Sequence, residues 1–245
     1  MELFSRVHLV LYQKLKHLFQ HSLTKVSCCS LCHQKVHSSL MLCRHCLSDL
    51  PTLHYPDNFF NLLHWPAIDL LFKKRNFDQL ICVAPYVWPF DHWLKQLKYQ
   101  HKFQLSLGLA EIIALQLKSY FQQNKYQKSA LTCVPTDVSR WQQRGFNPAH
   151  LIAQHLAKMS QIHYQPNLLR RINTSDSQVG KTGAQRRKDL KNAFEVTDVD
   201  CSAKHIVLFD DVITTGSTVN EISRLLKKQG VQHVTVLTLA IALPK

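Results

Sequence analysis

No stretch of about 18 uninterrupted apolar residues occurs in the chain, which excludes a conventional membrane-spanning helix. The N-terminal apolar run Leu9-Val10-Leu11-Tyr12 is too short for a signal-peptide core. Lys14, Lys16 and His17 follow it in place of a small-residue cleavage site, so the chain is expected in the cytoplasm. Acidic residues are scarce, 16 Asp and Glu against 30 Lys and Arg, and the formal charge of +14 favours an anionic partner: nucleic acid, nucleotides or an anionic membrane surface. Internal repeats and low-complexity tracts are absent. With 45% hydrophobic residues in 245, the chain has enough for one sizeable α/β domain and a small appendage. Cysteine is present but unevenly spread, five residues between Cys28 and Cys46 and singles at Cys82, Cys133 and Cys201, which argues against a disulfide framework.

The most informative stretch runs from Ile206 to Thr218. Ile206-Val207-Leu208-Phe209 is too short for a helix and suits a strand buried on both faces. It leads into Asp210 and Asp211 and then a hydroxyl-rich turn, after which Val219, Ile222, Leu225 and Leu226 recur at helical spacing, so a helix starts at Ser217 or Thr218. Free N–H groups of its first turn, its dipole and the hydroxyls of Thr214, Thr215, Ser217 and Thr218 suit a phosphate, and Gly216 allows close backbone approach. The two carboxylates suit vicinal sugar hydroxyls or the water shell of Mg²⁺. Phosphate beside diol reads as a ribose 5-phosphate. The run resembles the phosphoribosyl pyrophosphate (PRPP) motif of the type I phosphoribosyltransferases. That resemblance implies Asp210 and Asp211 on the ribose hydroxyls and Thr214, Thr215, Gly216, Ser217 and Thr218 around the 5-phosphate.

Two CxxC pairs, Cys29 with Cys32 and Cys43 with Cys46, are ten residues apart and can complete a tetrahedral sulfur shell for Zn²⁺. Four thiolates leave no open position, so the metal is structural and supplies much of the folding free energy of a segment with little core. Cys28 competes with Cys29 for the ligand position, and His33, His37 and His45 are further candidates.

Residues 1–25 read as an amphipathic helix whose apolar face needs a partner, either the rest of the protein or a membrane surface. Residues 26–52 are the zinc module, 53–78 a linker that reads as helical from Asp57 to Arg75, and 79–245 the main domain. Within it, strands are expected at 80–84 and 131–135, a short helix around Trp93–Lys98 and a single helix over 105–121. Asn147-Pro148 opens another helix as N-cap and first residue. Residues 193–196 are expected to re-enter the sheet, Gly230 to stop the last helix, and Val234 to Ile241 to form a final strand. Strands alternating with helices indicate a parallel sheet.

Arg140 and Arg144, four residues apart, are candidates for a pyrophosphate or DNA contact, with Trp141 and Phe146 as base-stacking or core residues beside them. Residues 170–191 form a long polar loop carrying seven basic residues, Lys181, Arg186 and Arg187 among them, against Asp176 and Asp189.

Taken in order, the four-cysteine knuckle, Leu97-Lys98-Tyr99, Arg144-Gly145-Phe146-Asn147, the basic loop leading to Ala193-Phe194 and the terminal PRPP motif resemble the ComF (ComFC) competence family from about Cys28 to the end. Thr136-Asp137 and Asp189 depart from its pattern. The resemblance implies a type I phosphoribosyltransferase fold, a parallel sheet flanked by helices with an N-terminal four-cysteine zinc module. It also implies a role in natural transformation, assisting single-stranded DNA at or past the inner membrane, with an uptake translocase as partner and peripheral membrane association as an option. The alternative is an active phosphoribosyltransferase using PRPP and Mg²⁺, which displaces pyrophosphate from C1 with a nucleobase or amine acceptor. No residue is assigned as its general base.

Overall fold

The computed structural model describes residues 27–36, 41–55, 59–122, 129–172, 193–197 and 204–242. The helix expected over 1–25 and most of the 170–191 loop, including Lys181, Arg186 and Arg187, lie outside them. The chain divides between Leu50 and Pro51 into two compact units. In the first, β1 (Ser27–Cys28) and β2 (Lys35–Val36) pair antiparallel, and α1 (Arg44–Ser48) follows. The turn between the strands closes when Cys29 N–H donates to Gln34 O and His33 N–H donates to Cys29 O, with His33 in the left-handed region at φ 60°. Among its described residues the buried apolar side chains are Cys29, Val36, Leu42 and Leu50, too few by themselves for an independent core.

The second unit contains a 3₁₀ turn (Leu62–His64), α2 (Pro66–Leu71), β3 (Gln79–Pro85), α3 (Phe90–Gln100), α4 (Gln104–Gln116) and α5 (Lys118–Gln122). These are followed by β4 (Ser129–Cys133), α6 (Val138–Arg144), α7 (Pro148–Ser160), β5 (His163–Tyr164), β6 (Leu169–Arg171) and β7 (Phe194–Val196). The unit ends with β8 (His205–Ile213), α8 (Ser217–Lys228) and β9 (His233–Ile241). Five strands form a parallel sheet in the order β3-β9-β8-β4-β5. Helices flank it, as expected.

β8 is the central strand, with Phe209 opposite Leu237 on one side and Cys133 on the other. Its first residues meet side chains on both faces, which is why they are all apolar. On one face Leu208 and Val236 share a core with Val219, Ile222 and Leu226 of α8 and with Leu62 and Phe72. α7 packs on β4, β8 and α4.

The outer edge of β3 is covered by the chain before it. Leu53 N–H donates to Val83 O, the Tyr55 hydroxyl bonds both Cys82 N–H and Cys82 O, and Asn61 Oδ1 accepts from Leu80 N–H. Much of residues 53–78, read as a linker with a helical stretch over 57–75, is therefore built into the larger unit, and among its described residues only 62–64 and 66–71 are helical. The helix expected over 105–121 is broken at Leu117 into α4 and α5. β7 does not re-enter the main sheet. It forms an antiparallel hairpin with β6, Arg171 opposite Phe194, because Ala193 and Phe194 are buried with Leu168 and Leu169 in the α8-side core.

Candidate functional site

The chain leaving β4 continues to β5 on one side, and the chain leaving β8 continues to β9 on the other. The crevice between the carboxyl ends of β4 and β8 is therefore the point where the winding reverses, the usual ligand position in an open parallel sheet. The Ile206–Thr218 run ends there.

β8 is longer than its apolar run and carries Asp210 and Asp211 within it. Successive strand residues point to opposite faces, so the two carboxylates leave on opposite sides. Asp211 is buried and pairs with Lys98 of α3, Nζ to Oδ1 2.8 Å, with both side chains largely shielded. Lys98 is a site residue that the PRPP motif does not mark. A signal was present: four positions after Leu94, Lys98 lies on the buried stripe of its helix.

Burial and the Asp211 carboxylate push Asp210 up to about 8, against the pull of Lys98, of the Asp211 N–H donated to its Oδ1 at 3.0 Å, and of Arg140. A carboxyl with a raised folded-state value disfavours the fold once it must ionise. Stability is therefore lost as pH rises from about 4, where the unfolded group titrates, to about 8. Asp210→Asn removes that loss. In thermal or urea unfolding its gain over the wild type should be near zero at pH 4 and should grow as pH rises towards about 8. A gain that does not depend on pH would contradict this assignment.

After β8 the turn places Gly216 at φ 67°, where a Cβ would lie 2.4 Å from the buried Phe72 ring. Gly216 thus serves both backbone conformation and close packing. It is the N-cap of α8 and has no side chain to accept from the first-turn N–H groups. Thr215 Oγ1 accepts weakly from Ser217 N–H at 3.4 Å and lies 3.0 Å from Ser217 Oγ, while Thr214 and Thr215 are exposed. An anion could therefore meet free donors, hydroxyls and the positive end of a twelve-residue helix.

Across the crevice, Asp137 caps α6 by accepting from the N–H and Oγ of Ser139, and it also pairs with Arg171 of β6 at 2.9 Å. Arg140 is exposed and has no ion pair among the described residues. Arg144 stacks on Tyr99, 4.7 Å from its ring centroid, so the two guanidinium groups do not form one fork. Asn147 is the N-cap of α7, accepting from Ala149 N–H, and its Nδ2 donates to Val134 O, so its polar atoms are used structurally. Phe146 packs edge-on against Phe103 at 4.8 Å. Behind α6 lies an open cavity of about 470 Å³ at the end of β4, walled by Val138, Trp141, Phe146 and Leu169.

In the smaller unit Cys29, Cys32, Cys43 and Cys46 are brought together, with one ligand atom from each and all four atoms within 4.8 Å of one another. The group can hold a metal ion. A tetrahedral shell with bonds of ~2.3 Å has sulfur–sulfur edges of ~3.8 Å, and Cys32 Sγ lies 3.7 Å from Cys43 Sγ. Cys28 is exposed and outside the group. Burial opposes ionisation of Cys29, but the backbone N–H groups of Cys32, Cys43 and Leu31 outweigh it and lower its pKa to about 6. Cys43 Sγ accepts from Cys46 N–H at 3.4 Å. Such N–H···S bonds favour the thiolates that a cation requires.

No helix among the described residues is long and apolar enough to cross a membrane. No family model matches the chain. Among solved structures it is similar to a hypoxanthine phosphoribosyltransferase from Staphylococcus aureus, at 15% identity over 57% of this chain and 64% of that one, TM-score 0.33. It is also similar to an adenine phosphoribosyltransferase, at 15% identity over 61% and 84%, TM-score 0.33. Among characterised proteins it is 31% identical to competence protein F of Haemophilus influenzae over 223 residues, which is 90% of this chain and 93% of that protein. It is 29% identical to the DNA utilization protein YhgH of Escherichia coli, over 85% of this chain and 87% of that protein. It is 28% identical to competence protein ComFC of Bacillus subtilis, over 59% and 58%. With that level of identity to competence protein F sustained across both compact units, the chain belongs to the competence protein F family.

Proposed function

We propose that this protein binds PRPP through a phosphoribosyltransferase-like site and works in DNA uptake, assisting single-stranded DNA that has entered the cell. What supports the phosphoribose reading is one observation: paired carboxylates on β8 and the start of α8 meet at the point where the sheet reverses its winding. Asp210 and Asp211 take the ribose hydroxyls, and Thr214 to Thr218 take the 5-phosphate. Mg²⁺, entering with PRPP, neutralises its pyrophosphate beside Arg140. The names of the relatives, competence and DNA utilization proteins, support the DNA role, as does the formal charge of +14. The cysteine group takes zinc as a structural ion. In this reading the protein acts in the cytoplasm at the inner face of the membrane, where an uptake translocase delivers the strand.

Thermal unfolding with PRPP and Mg²⁺ tests the site. At about a hundred times its dissociation constant, a ligand of the folded state adds ~2.7 kcal/mol of stability. The wild type should show the shift, and an Asp210→Asn, Asp211→Asn variant, measured against its own ligand-free baseline, should not. A wild type without the shift would end the phosphoribose reading. Pyrophosphate release with a panel of nucleobases and amines then separates a PRPP-binding protein from an active transferase.

A further inference from the structure

The cavity behind α6 opens at the carboxyl end of β4, beside the crevice, with Cys133 in its lining. Its volume of about 470 Å³ lies within the ~300–1,000 Å³ range of small-ligand sites. Trp141 forms part of one wall and keeps 54% of its surface in contact with solvent. Val138 continues that wall and Leu169 faces the cavity from β6.

The polar part is limited and directional. His150 lines the cavity and has its Nδ1 2.8 Å from the Tyr164 hydroxyl, which lies 3.3 Å from Cys133 Sγ. His150 Nε2 has no protein partner among the described residues. The rim is cationic. Arg170 is 73% exposed and only loosely paired with Glu195 at 3.5 Å, and Arg140 precedes Trp141 on the helix with no ion pair among the described residues. Arg171 is committed to Asp137 and to the face of Phe194, and so braces the wall. An aromatic platform with a small polar inventory in the pocket and two available guanidinium groups outside it matches a flat heteroaromatic ring attached to a phosphodiester chain.

We infer that this cavity accepts an unstacked base of single-stranded DNA, with Trp141 stacking on the base and Arg140 and Arg170 contacting the flanking phosphates. The inference rests on the single-strand part of the proposed function and goes beyond it by assigning the site. Base–aromatic stacking tolerates any sequence, so the site suits a protein that handles whatever strand arrives.

The test is fluorescence anisotropy of the zinc-replete full chain with a labelled 15-residue oligo-dT and with an abasic strand of equal length and charge. Trp141→Ala should weaken oligo-dT binding about tenfold, Trp141→Phe should retain most of the affinity, and neither should change binding of the abasic strand. Arg140→Ala with Arg170→Ala should weaken both strands and flatten the salt dependence, by about 0.7 in log–log slope for each phosphate no longer neutralised. Unchanged melting temperatures will show that the variants fold. If the wild type binds oligo-dT but Trp141→Ala costs less than twofold, or costs the same on the abasic strand, the cavity assignment fails and the single-strand reading stands. No binding of oligo-dT by the wild type overturns both. Competition by free dTMP at concentrations below those at which oligo-dT binds would identify a nucleotide pocket and overturn the assignment to a strand.

Discussion

Removal of the metal is expected to unfold the unit that ends at Leu50 and to leave the main thermal transition of residues 51–245 in place. Among its described residues the smaller unit has two short strands, a five-residue helix and four buried apolar side chains, one of them Cys29 of the cysteine group. Burial on this scale does not offset the entropy of ordering its backbone. Four sulfur ligands to zinc do, because the apparent binding free energy of structural zinc in small modules is about 10–16 kcal/mol near neutral pH. The larger unit has its own core around β8, β9 and α8 and does not need the ion. Chelation should release one equivalent of zinc per chain and make the first unit sensitive to protease. Cys43→Ser with Cys46→Ser should have the same effect without chelator, whereas Cys28→Ser should leave the zinc content unchanged. Full zinc retention by the Cys43, Cys46 double variant would disprove the site.

The second large effect is expected at Lys98. Lys98→Ala leaves Asp211 buried beside Asp210 with no cation to balance it, and breaking a buried pair from one side costs about 3–5 kcal/mol. It also removes one of the groups that hold Asp210 down, so Asp210 moves further up. Chemical denaturation should show the loss in midpoint with little change in slope. Adding Asp211→Asn should recover a large part of it, because the uncompensated charge is gone. A loss below about 1 kcal/mol would mean that water reaches the pair and that Lys98 is an ordinary surface charge. If the phosphoribose reading holds, Lys98→Ala will also weaken PRPP, since Asp211 is then no longer held in place at the crevice.

Several structural features follow directly from residue order. Apolar runs of four or five residues between helical stretches produced the parallel sheet, and Asn147-Pro148 and Gly230 bound α7 and α8 as their chemistry requires. The cysteine spacing brought Cys29, Cys32, Cys43 and Cys46 together. These outcomes are local: a cap, a turn or a CxxC knuckle is complete within a few residues, so its physics can be read along the chain.

Other features were decided by distant contacts. The choice of Cys29 over Cys28 depended on which thiol faced the second knuckle and received the N–H bonds of Leu31, Cys32 and Cys43. Residues 57–75 had helical composition, yet Asn61 was drawn onto Leu80 N–H of β3, beside the bonds that Leu53 and Tyr55 make to the same strand. Residues 193–196 read as a strand of the main sheet, but burial of Phe194 in the α8-side core placed them in a hairpin with β6. Arg144 lies over the Tyr99 ring, a contact that its spacing from Arg140 did not show.

The amino-acid order by itself determined that this is an α/β protein with a four-cysteine group that can hold a metal and a strand–carboxylate–hydroxyl turn, because each of those is a local pattern. Only the tertiary structure decided that Lys98 meets Asp211 across 113 residues, that Phe72 requires glycine at 216, and that Trp141 walls a cavity at the end of β4. Those pairings depend on which elements the sheet order brings side by side, and no short-range pattern along the chain specifies that order.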